Sequence, residues 1–251
     1  RIDRLRYPNP SNLSNLSNLS NFSNLLIMAK IHGVAGEWAR VNGTVIGLWP
    51  LFLGVFCAGA AIPLIWISAI GGGTLLVASL VFILWSLVVG LRKVERFFKG
   101  ARGEERVSGI LQKLPDTYHV FNDFTVGRKH VDHVVAGPGG VFAIETKFWK
   151  GKVTVEDNHI LLDGQLPDRS PLQQAIREAS QVKATLQRRG WSGTVTPVLV
   201  FASNTFEAKI AEIQGVVVLN ASHLRASFDV DRVVIPPVEL DRLVRMMDLQ
   251  D

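Results

Sequence analysis

The sequence predicts an α/β fold, a mixed β-sheet flanked by helices, preceded by a two-helix transmembrane hairpin. Two long uncharged apolar runs, Val45 to Ile70 and Thr74 to Leu91, predict the hairpin. After Gly103, short β-branched runs alternate with amphipathic helical patterns, which predicts a sheet with helices on its faces. A Pro-Gly-Gly turn between two apolar runs predicts a β-hairpin within that sheet.

Residues 1–44 are predicted to be a low-complexity, disordered segment. Ser-Asn-Leu triplets repeat from Ser11 to Asn24, and a period of three fits neither a helix nor a strand. Serine and asparagine favour turns, so we expect no packed core in this segment. The first methionine is Met28. One hypothesis is that the natural chain starts there and that the triplets are translated upstream sequence.

Residues 45–91 are predicted to cross a membrane twice. The two apolar runs span roughly 26 and 18 residues, and about 20 helical residues cross a hydrocarbon core. Gly71-Gly72-Gly73 separates the runs and is expected to connect the helices. The alternative is a buried helical hairpin in a soluble core. The absence of charge from both runs favours the membrane, with lipid contacts along residues 45–91.

Residues 92–102 are predicted to be a basic juxtamembrane linker, with Arg92, Lys93, Arg96, Lys99 and Arg102. By the positive-inside rule, both ends of the hairpin face the cytoplasm, which predicts a two-span protein of the cell membrane. The basic run could instead bind anionic headgroups or nucleic acid. The formal net charge is +5, with about +3 before residue 92, so no uniformly basic coat is present. A single cysteine, Cys57, rules out an intrachain disulfide.

Residues 103–251 are predicted to form one domain. A helix opens at Gly103 and ends at Pro115-Asp116, and a strand over residues 118–121 is followed by a turn at Asn122-Asp123. The remaining expected elements are the hairpin around Pro138, strands at 153–155, 160–162, 196–202 and 216–219, a long helix at 171–189, a helical turn at 222–228 and a helix at 236–247.

Three charged side chains in the β-hairpin are candidates for one site. Glu145 and Lys147 are two residues apart on one strand, so they project from the same face, and the hairpin can bring Asp132 to them. Mg²⁺ prefers oxygen ligands and keeps several waters. Asp132 and Glu145, with the Thr146 carbonyl, could hold Mg²⁺ or Mn²⁺ beside the Lys147 ammonium. Acids and a lysine at strand ends also arise by chance.

Two further residues could reach the same place. Glu104 could serve as a metal ligand or support one, although alone it reads as a favourable charge in a first helical turn. Gln174 could orient substrate or water, although alone it reads as an exposed helix residue. His130 and His133 are interpreted as surface or packing residues because their spacing suits zinc on a helix better than on a strand. The hairpin glycines read as a turn because no helix follows them.

Taken together, these pieces resemble the nuclease-related domain (NERD), a family grouped with the PD-(D/E)xK restriction-endonuclease-like fold. The resemblance runs from about Gly103 to Leu186. Its pieces, in order, are Gly103-Glu104-x-x-Val107, Asn122-Asp123, Val131-Asp132-His133, Gly137-x-x-Gly140 through Ile144-Glu145-Thr146-Lys147, Gly151, and Pro171-x-x-Gln174. The resemblance implies an active site of Glu104, Asp132, Glu145, Lys147 and Gln174, with Mg²⁺ as the metal and Asp132, Glu145 and Glu104 as its ligands.

The leading functional hypothesis is a membrane-anchored, cytoplasm-facing, Mg²⁺-dependent nuclease that hydrolyses phosphodiester bonds of DNA. The alternative is a non-catalytic module of nuclease-like fold that binds nucleic acid or a protein at the membrane, since a fold hosts more than one function. A third reading is an envelope protein whose soluble domain is regulatory. The nearly balanced charge of the domain predicts weak, salt-sensitive binding unless Arg128, Lys129, Lys150 and Lys152 form one patch.

Overall fold

The computed structural model describes residues 28–127, 129–230 and 232–248. These residues form two compact units. One is the helical unit Glu37–Ala101, and the other combines the described residues before it with those from Arg102 onward. The Ser-Asn-Leu triplets and their predicted disorder lie outside the described residues, as does Arg128.

The helical unit contains helix α1, Glu37–Ile67, and most of helix α2, Ala69–Leu111. Only Ser68 separates the two helices, so the predicted connection at Gly71-Gly72-Gly73 is wrong and the glycines lie in the first turns of α2. The predicted linker, residues 92–102, is helical throughout. The helix expected to open at Gly103 is the end of α2 rather than a separate element.

Helix α1 buries small residues and exposes large ones. Its buried positions are all alanine or glycine: Ala39, Gly43, Gly47, Gly54 and Ala61. By contrast, Phe56 is 74% exposed and Trp66 is 91% exposed. The glycines mark a close approach of the two helices, because a Cβ at Gly47 would lie 2.5 Å from the Val94 side chain. By length and composition, both α1 and α2 are able to cross a membrane.

The other unit is built on a seven-stranded mixed sheet in the order β1-β2-β3-β4-β7-β9-β8. The strands are β1 Lys30–His32, β2 His119–Val126, β3 Lys129–Gly137, β4 Gly140–Lys147, β7 Val195–Phe201, β8 Ile210–Ile213 and β9 Val216–Asn220. The first pair is parallel, the next two pairs are antiparallel, β4-β7-β9 run parallel, and β8 closes the sheet antiparallel to β9. Strands β5 Val153–Glu156 and β6 His159–Leu162 pair separately. The predicted mixed α/β fold is confirmed.

Strand β1 precedes the helical unit in sequence and yet belongs to the sheet. It pairs with β2 in the register Lys30↔His119, and the Ala29 backbone N–H donates to the carbonyl of Leu114 at 2.8 Å. The prediction of a disordered segment up to residue 44 is therefore wrong for the strand and for the start of α1. Three residues are too short a run to stand out by side-chain alternation.

Helices cover both faces of the sheet. They are α3 Pro171–Arg188, α4 Ala221–Ser227 and α5 Pro237–Asp248, together with the end of α2. Val107 and Leu111 of α2 and Leu224 of α4 pack on one face. Val182 and Leu186 of α3 pack with Leu243 of α5 on the other. The predicted long helix, the hairpin and the six remaining elements after it are confirmed, whereas β8 was not predicted.

Asn122 and Asp123 lie within β2, so the predicted turn there is wrong. Asp123 does adopt a left-handed backbone, with φ of +48°. The β2–β3 ladder pairs Asn122 with His133 and Phe124 with Val131, and it omits the pair between them. Side-chain alternation breaks at this point, because Phe121 and Phe124 pack in the same cluster although they are three residues apart. Such irregularities re-aim side chains within a sheet.

Replacing Gly33 by alanine is expected to destabilise the sheet unit by about 1–3 kcal/mol. Gly33 has φ of +75°, and an added Cβ would lie 2.8 Å from the backbone oxygen of Asn122, so the chain leaving β1 would be strained. The measurement is thermal unfolding of the purified chain.

Gly109→Ala is the matched control. A Cβ at this exposed position of α2 meets nothing within 4 Å, and alanine favours a helix over glycine. Equal midpoints for the two variants would show that β1 is not held on the sheet as described.

Candidate active site

Strand β4 places two of the predicted site residues on one face. Ile144 packs with the α2 and α4 side of the sheet, and Phe148 packs against that cluster too. Ala143 packs on the α3 side, so Glu145 and Lys147 also project toward α3 by strand alternation. The predicted division of this strand is confirmed. Glu145 is buried, and the Lys147 ammonium forms an ion pair with it.

Asp132 reaches the same place from the neighbouring strand β3. Its Oδ2 accepts a hydrogen bond from the Thr146 backbone N–H at 2.7 Å. Burial raises the pKa of Asp132 well above its usual range, and the nearby Glu145 and Glu104 carboxylates raise it further. The Glu145 and Glu104 carboxyl groups therefore lie near enough to Asp132 for their charges to act on it, while the active site that the sequence predicted stays a prediction.

Glu104 enters the site from the last turns of α2 and is 9% exposed. Burial raises its pKa to about 7, with further increases from Asp123 and Glu145. A hydrogen bond from the Gly36 backbone N–H and the Lys147 charge act in the opposite direction. Gly36 immediately precedes α1, so the chain on both sides of the helical unit contributes to this group.

Lys147 is the cation at the centre of these acids. Burial lowers its pKa, but Glu145, Asp132 and Glu178 outweigh burial and the net change is upward. The ammonium therefore keeps its charge. Its Nζ also donates to Gln174 Oε1 at 3.0 Å, which links the start of α3 to this cluster.

Glu178 belongs to the same cluster and was not predicted. It lies one turn after Gln174 on α3, and its Oε1 accepts from Gln174 Nε2 at 2.9 Å. Burial raises its pKa to about 9, with the Glu145 charge as the next cause. The only sequence signal was the spacing of four residues from Gln174, which places both side chains on one face of the helix.

The two histidines of β3 lie beside polar side chains of β2. His133 is fully buried, its Nδ1 lies 2.8 Å from Asn122 Oδ1, and burial lowers its pKa to about 3. His130 Nδ1 lies 3.4 Å from the hydroxyl of Thr125. The interpretation of His133 as a packing residue is confirmed.

The donor set suits a hard divalent cation in its chemistry. Asp132, Glu145 and Glu104 are carboxylates that repel one another, and one additional positive charge would relieve that repulsion. Within residues 28–127, 129–230 and 232–248, no three histidine, cysteine or acidic side chains converge closely enough to hold a metal ion. Lys147 contacts Glu145, and Asp132 is bound to the Thr146 N–H. The predicted metal site thus stays a prediction that requires side-chain movement.

Residues 99–202 match the nuclease-related domain, NERD. The matched range contains all five predicted site residues and Glu178. An uncharacterized protein of Bacillus anthracis is 38% identical over 60 residues, which are 22% of this chain and 28% of that protein. The chain thus spans just over a quarter of the length of this relative. No solved structure matches the chain.

Replacing Glu104 by glutamine is expected to stabilise the protein at pH 8 in the presence of a chelator. Glu104 has a raised pKa, so its contribution to stability is present below about pH 4.5 and is lost as the pH rises through about 7. The variant lacks this loss of unfolding free energy, which amounts to as much as about 3 kcal/mol for a pKa shift of this size. Thermal unfolding from pH 4 to pH 8 measures it.

Glu212→Gln, an exposed position on β8, is the control and should follow the wild-type profile. Parallel profiles for wild type and Glu104→Gln would contradict the described burial of Glu104 among acids.

Proposed function

We propose that this chain, whose residues 99–202 match the nuclease-related domain, is a Mg²⁺-dependent nuclease that hydrolyses phosphodiester bonds of DNA. The observation that supports it best is that Asp132, Glu145, Glu104 and Lys147, which come from three separate elements, lie near enough for their charges to act on one another. Structural ion pairs rarely need several buried acids around one lysine, and groups with strongly shifted pKa values cluster at functional sites.

Each residue has a role in the proposed reaction. Asp132, Glu145 and Glu104 would hold the metal, whose chemistry is to activate water and to stabilise charge on the phosphodiester. Lys147 keeps its proton among the acids, so its ammonium can orient the attacking water and help neutralise the transition state. Gln174 holds that ammonium through its side-chain oxygen.

A membrane anchor is part of the proposal. Large apolar side chains of α1 and α2 are exposed, whereas the residues that α1 buries are small. This is the reverse of a soluble helix, and it suits helices that approach closely and face lipid. A soluble protein with this much exposed apolar surface would tend to associate.

The proposed orientation places the nuclease-related domain in the cytoplasm. Helices α1 and α2 are joined at Ser68, so their other ends emerge on the same side of a bilayer. Arg92, Lys93 and Arg96 follow the apolar part of α2, and short basic flanks favour the cytoplasmic side. DNA in that compartment is therefore within reach of the site.

A non-catalytic binding module at the membrane is the second candidate function. The Lys147 ammonium contacts Glu145, and no three possible ligands among the described residues converge on one point. A site that binds no metal could still present positively charged side chains to a phosphate backbone. Metal binding separates the two functions.

Glu145→Gln and Lys147→Met are each expected to reduce DNA cleavage by at least about a hundredfold, because each removes a group on which the reacting centre depends. Cleavage of linear and circular DNA by the full chain with Mg²⁺ or Mn²⁺ measures it. Lys152→Met, at an exposed lysine paired with Glu207, is the matched control.

Cleavage that persists in both variants would reject this site. Calorimetry with Mn²⁺ addresses the second candidate, since a nuclease should show saturable binding that Asp132→Asn weakens. Absence of such binding in the wild type, together with absence of cleavage, would favour the non-catalytic module.

Lysines introduced together at Phe56 and Val81 are expected to release the chain from membranes. Both side chains are exposed in the helical unit, and a lysine at the centre of a span costs about 2.5–3.5 kcal/mol of insertion free energy. The measurement is the fraction that remains in membranes after alkaline extraction.

Val233→Lys, at an exposed apolar position outside the helical unit, is the control and should leave this fraction unchanged. Recovery of the wild-type chain in the soluble fraction would overturn the proposed anchor.

A further inference from the structure

A chain of hydrogen bonds runs from β4 along one face of α3. Lys147 Nζ donates to Gln174 Oε1 at 3.0 Å, and Gln174 Nε2 donates to Glu178 Oε1 at 2.9 Å. The Gln174 amide thus lies between an ammonium and a carboxyl group. Its neighbour Gln173 takes no part, because it is exposed and its Nε2 donates to Gln214 at 3.1 Å.

The chemistry of the two ends allows one orientation of the amide. A lysine ammonium carries only donors, so the group facing Lys147 must be the amide oxygen. The amide nitrogen then faces Glu178, which must offer an acceptor there. A rotated amide would set its NH₂ against the ammonium and its oxygen against a carboxyl oxygen, and both hydrogen bonds would be lost.

We propose that Glu178 is a positioning residue of the nuclease site, which sets the orientation of the Gln174 amide and through it the position of the Lys147 ammonium. The inference rests on the proposed function for its catalytic consequence. The effect on Lys147 itself follows from the hydrogen bonds alone.

The surroundings of Glu178 suit this role. It is partly buried on α3, between the buried residues Ala175 and Ala179 of the same helix. Its other carboxyl oxygen, Oε2, is buried, and the carboxyl group interacts with the Glu145 side chain, which raises the pKa of Glu178 further. An exposed glutamate would exchange partners with water, whereas this one keeps a fixed acceptor toward Gln174.

Glu178 also lies near enough to Lys147 to raise its pKa, and it interacts with Glu145, so three variants of the full chain separate these direct effects from the route through Gln174. E178M keeps the approximate volume and removes the acceptor. E178Q keeps an acceptor oxygen and replaces the carboxyl group by an amide. Q174M removes the connecting amide. Q187M, at an exposed glutamine on the same helix, is the matched control for substitution by methionine.

DNA cleavage is expected to fall about tenfold to a hundredfold in E178M, which is the usual effect of removing a group that orients an active-site residue. E178Q should recover the rate to within about threefold of wild type, because the acceptor is restored. The double variant E178M/Q174M should be no slower than Q174M, because two residues that act in series are not additive.

Two kinetic outcomes would overturn the proposal. E178Q as slow as E178M would mean that the carboxyl group itself, through Glu145 or Lys147, matters rather than the acceptor oxygen that faces Gln174. Independent, multiplicative losses in the double variant would mean that Glu178 does not act through Gln174.

A second measurement separates this inference from the proposed function. The rate of acylation of Lys147 by an amine-reactive reagent, relative to exposed Lys129, is read by mass spectrometry. E178M and Q174M should raise it equally, and E178Q should not. Unchanged labelling in all three variants would overturn the positioning role even if cleavage fell. If labelling changes as expected in the variants while the wild-type chain shows no nuclease activity, the positioning role is upheld and the nuclease is rejected.

Discussion

The ion pair between Lys147 and Glu145 is the interaction on which the site depends. Asp132, Glu104 and Glu178 lie around it, and burial raises the pKa of each of them. The positive charge of Lys147 offsets part of the repulsion among these acids, and their raised pKa values lessen it further by favouring the protonated forms. The apolar clusters on both faces of the sheet supply the stability that offsets this repulsion. A cluster of repelling acids lowers the stability of the fold, so a role in function explains it better than a role in stability.

Two of the acids lie at an exception to regular strand geometry. Asp132 and Asp123 occupy the point where the β2–β3 ladder omits a pair, and Asp123 has a left-handed backbone. This break in alternation lies beside the site, where backbone irregularities are common. Gln174 and Glu178 approach from the opposite direction on a regular helix, whose start is held by the Ser170 side chain and by Pro171.

The sequence was informative where patterns are local. Strict alternation in β4 predicted which residues share a face with Glu145, and the helix opened by Pro171 placed Gln174 correctly. Glu178 was not predicted to belong to the cluster, because an acid on a helix is ordinarily a solvated surface group. Strand β1 and the left-handed backbone of Asp123 were not predicted, because both depend on pairing between strands and not on local sequence patterns. The junction between α1 and α2 was not predicted correctly, because glycine connects helices in many proteins and is also tolerated within apolar helices. Metal binding stays a prediction, since it depends on side-chain positions that no sequence pattern specifies.

The placement of β1 has a consequence for how the protein is made. Gly33, at the end of this strand, accepts a hydrogen bond from a side chain 89 residues later. A nascent chain leaving the ribosome exposes β1 long before its partner strand exists, and closing a loop of that length is entropically slow. The edge of the sheet can be completed only after both apolar helices have been synthesised. The order of translation therefore means that the sheet and its site are completed late, after both apolar helices have been synthesised.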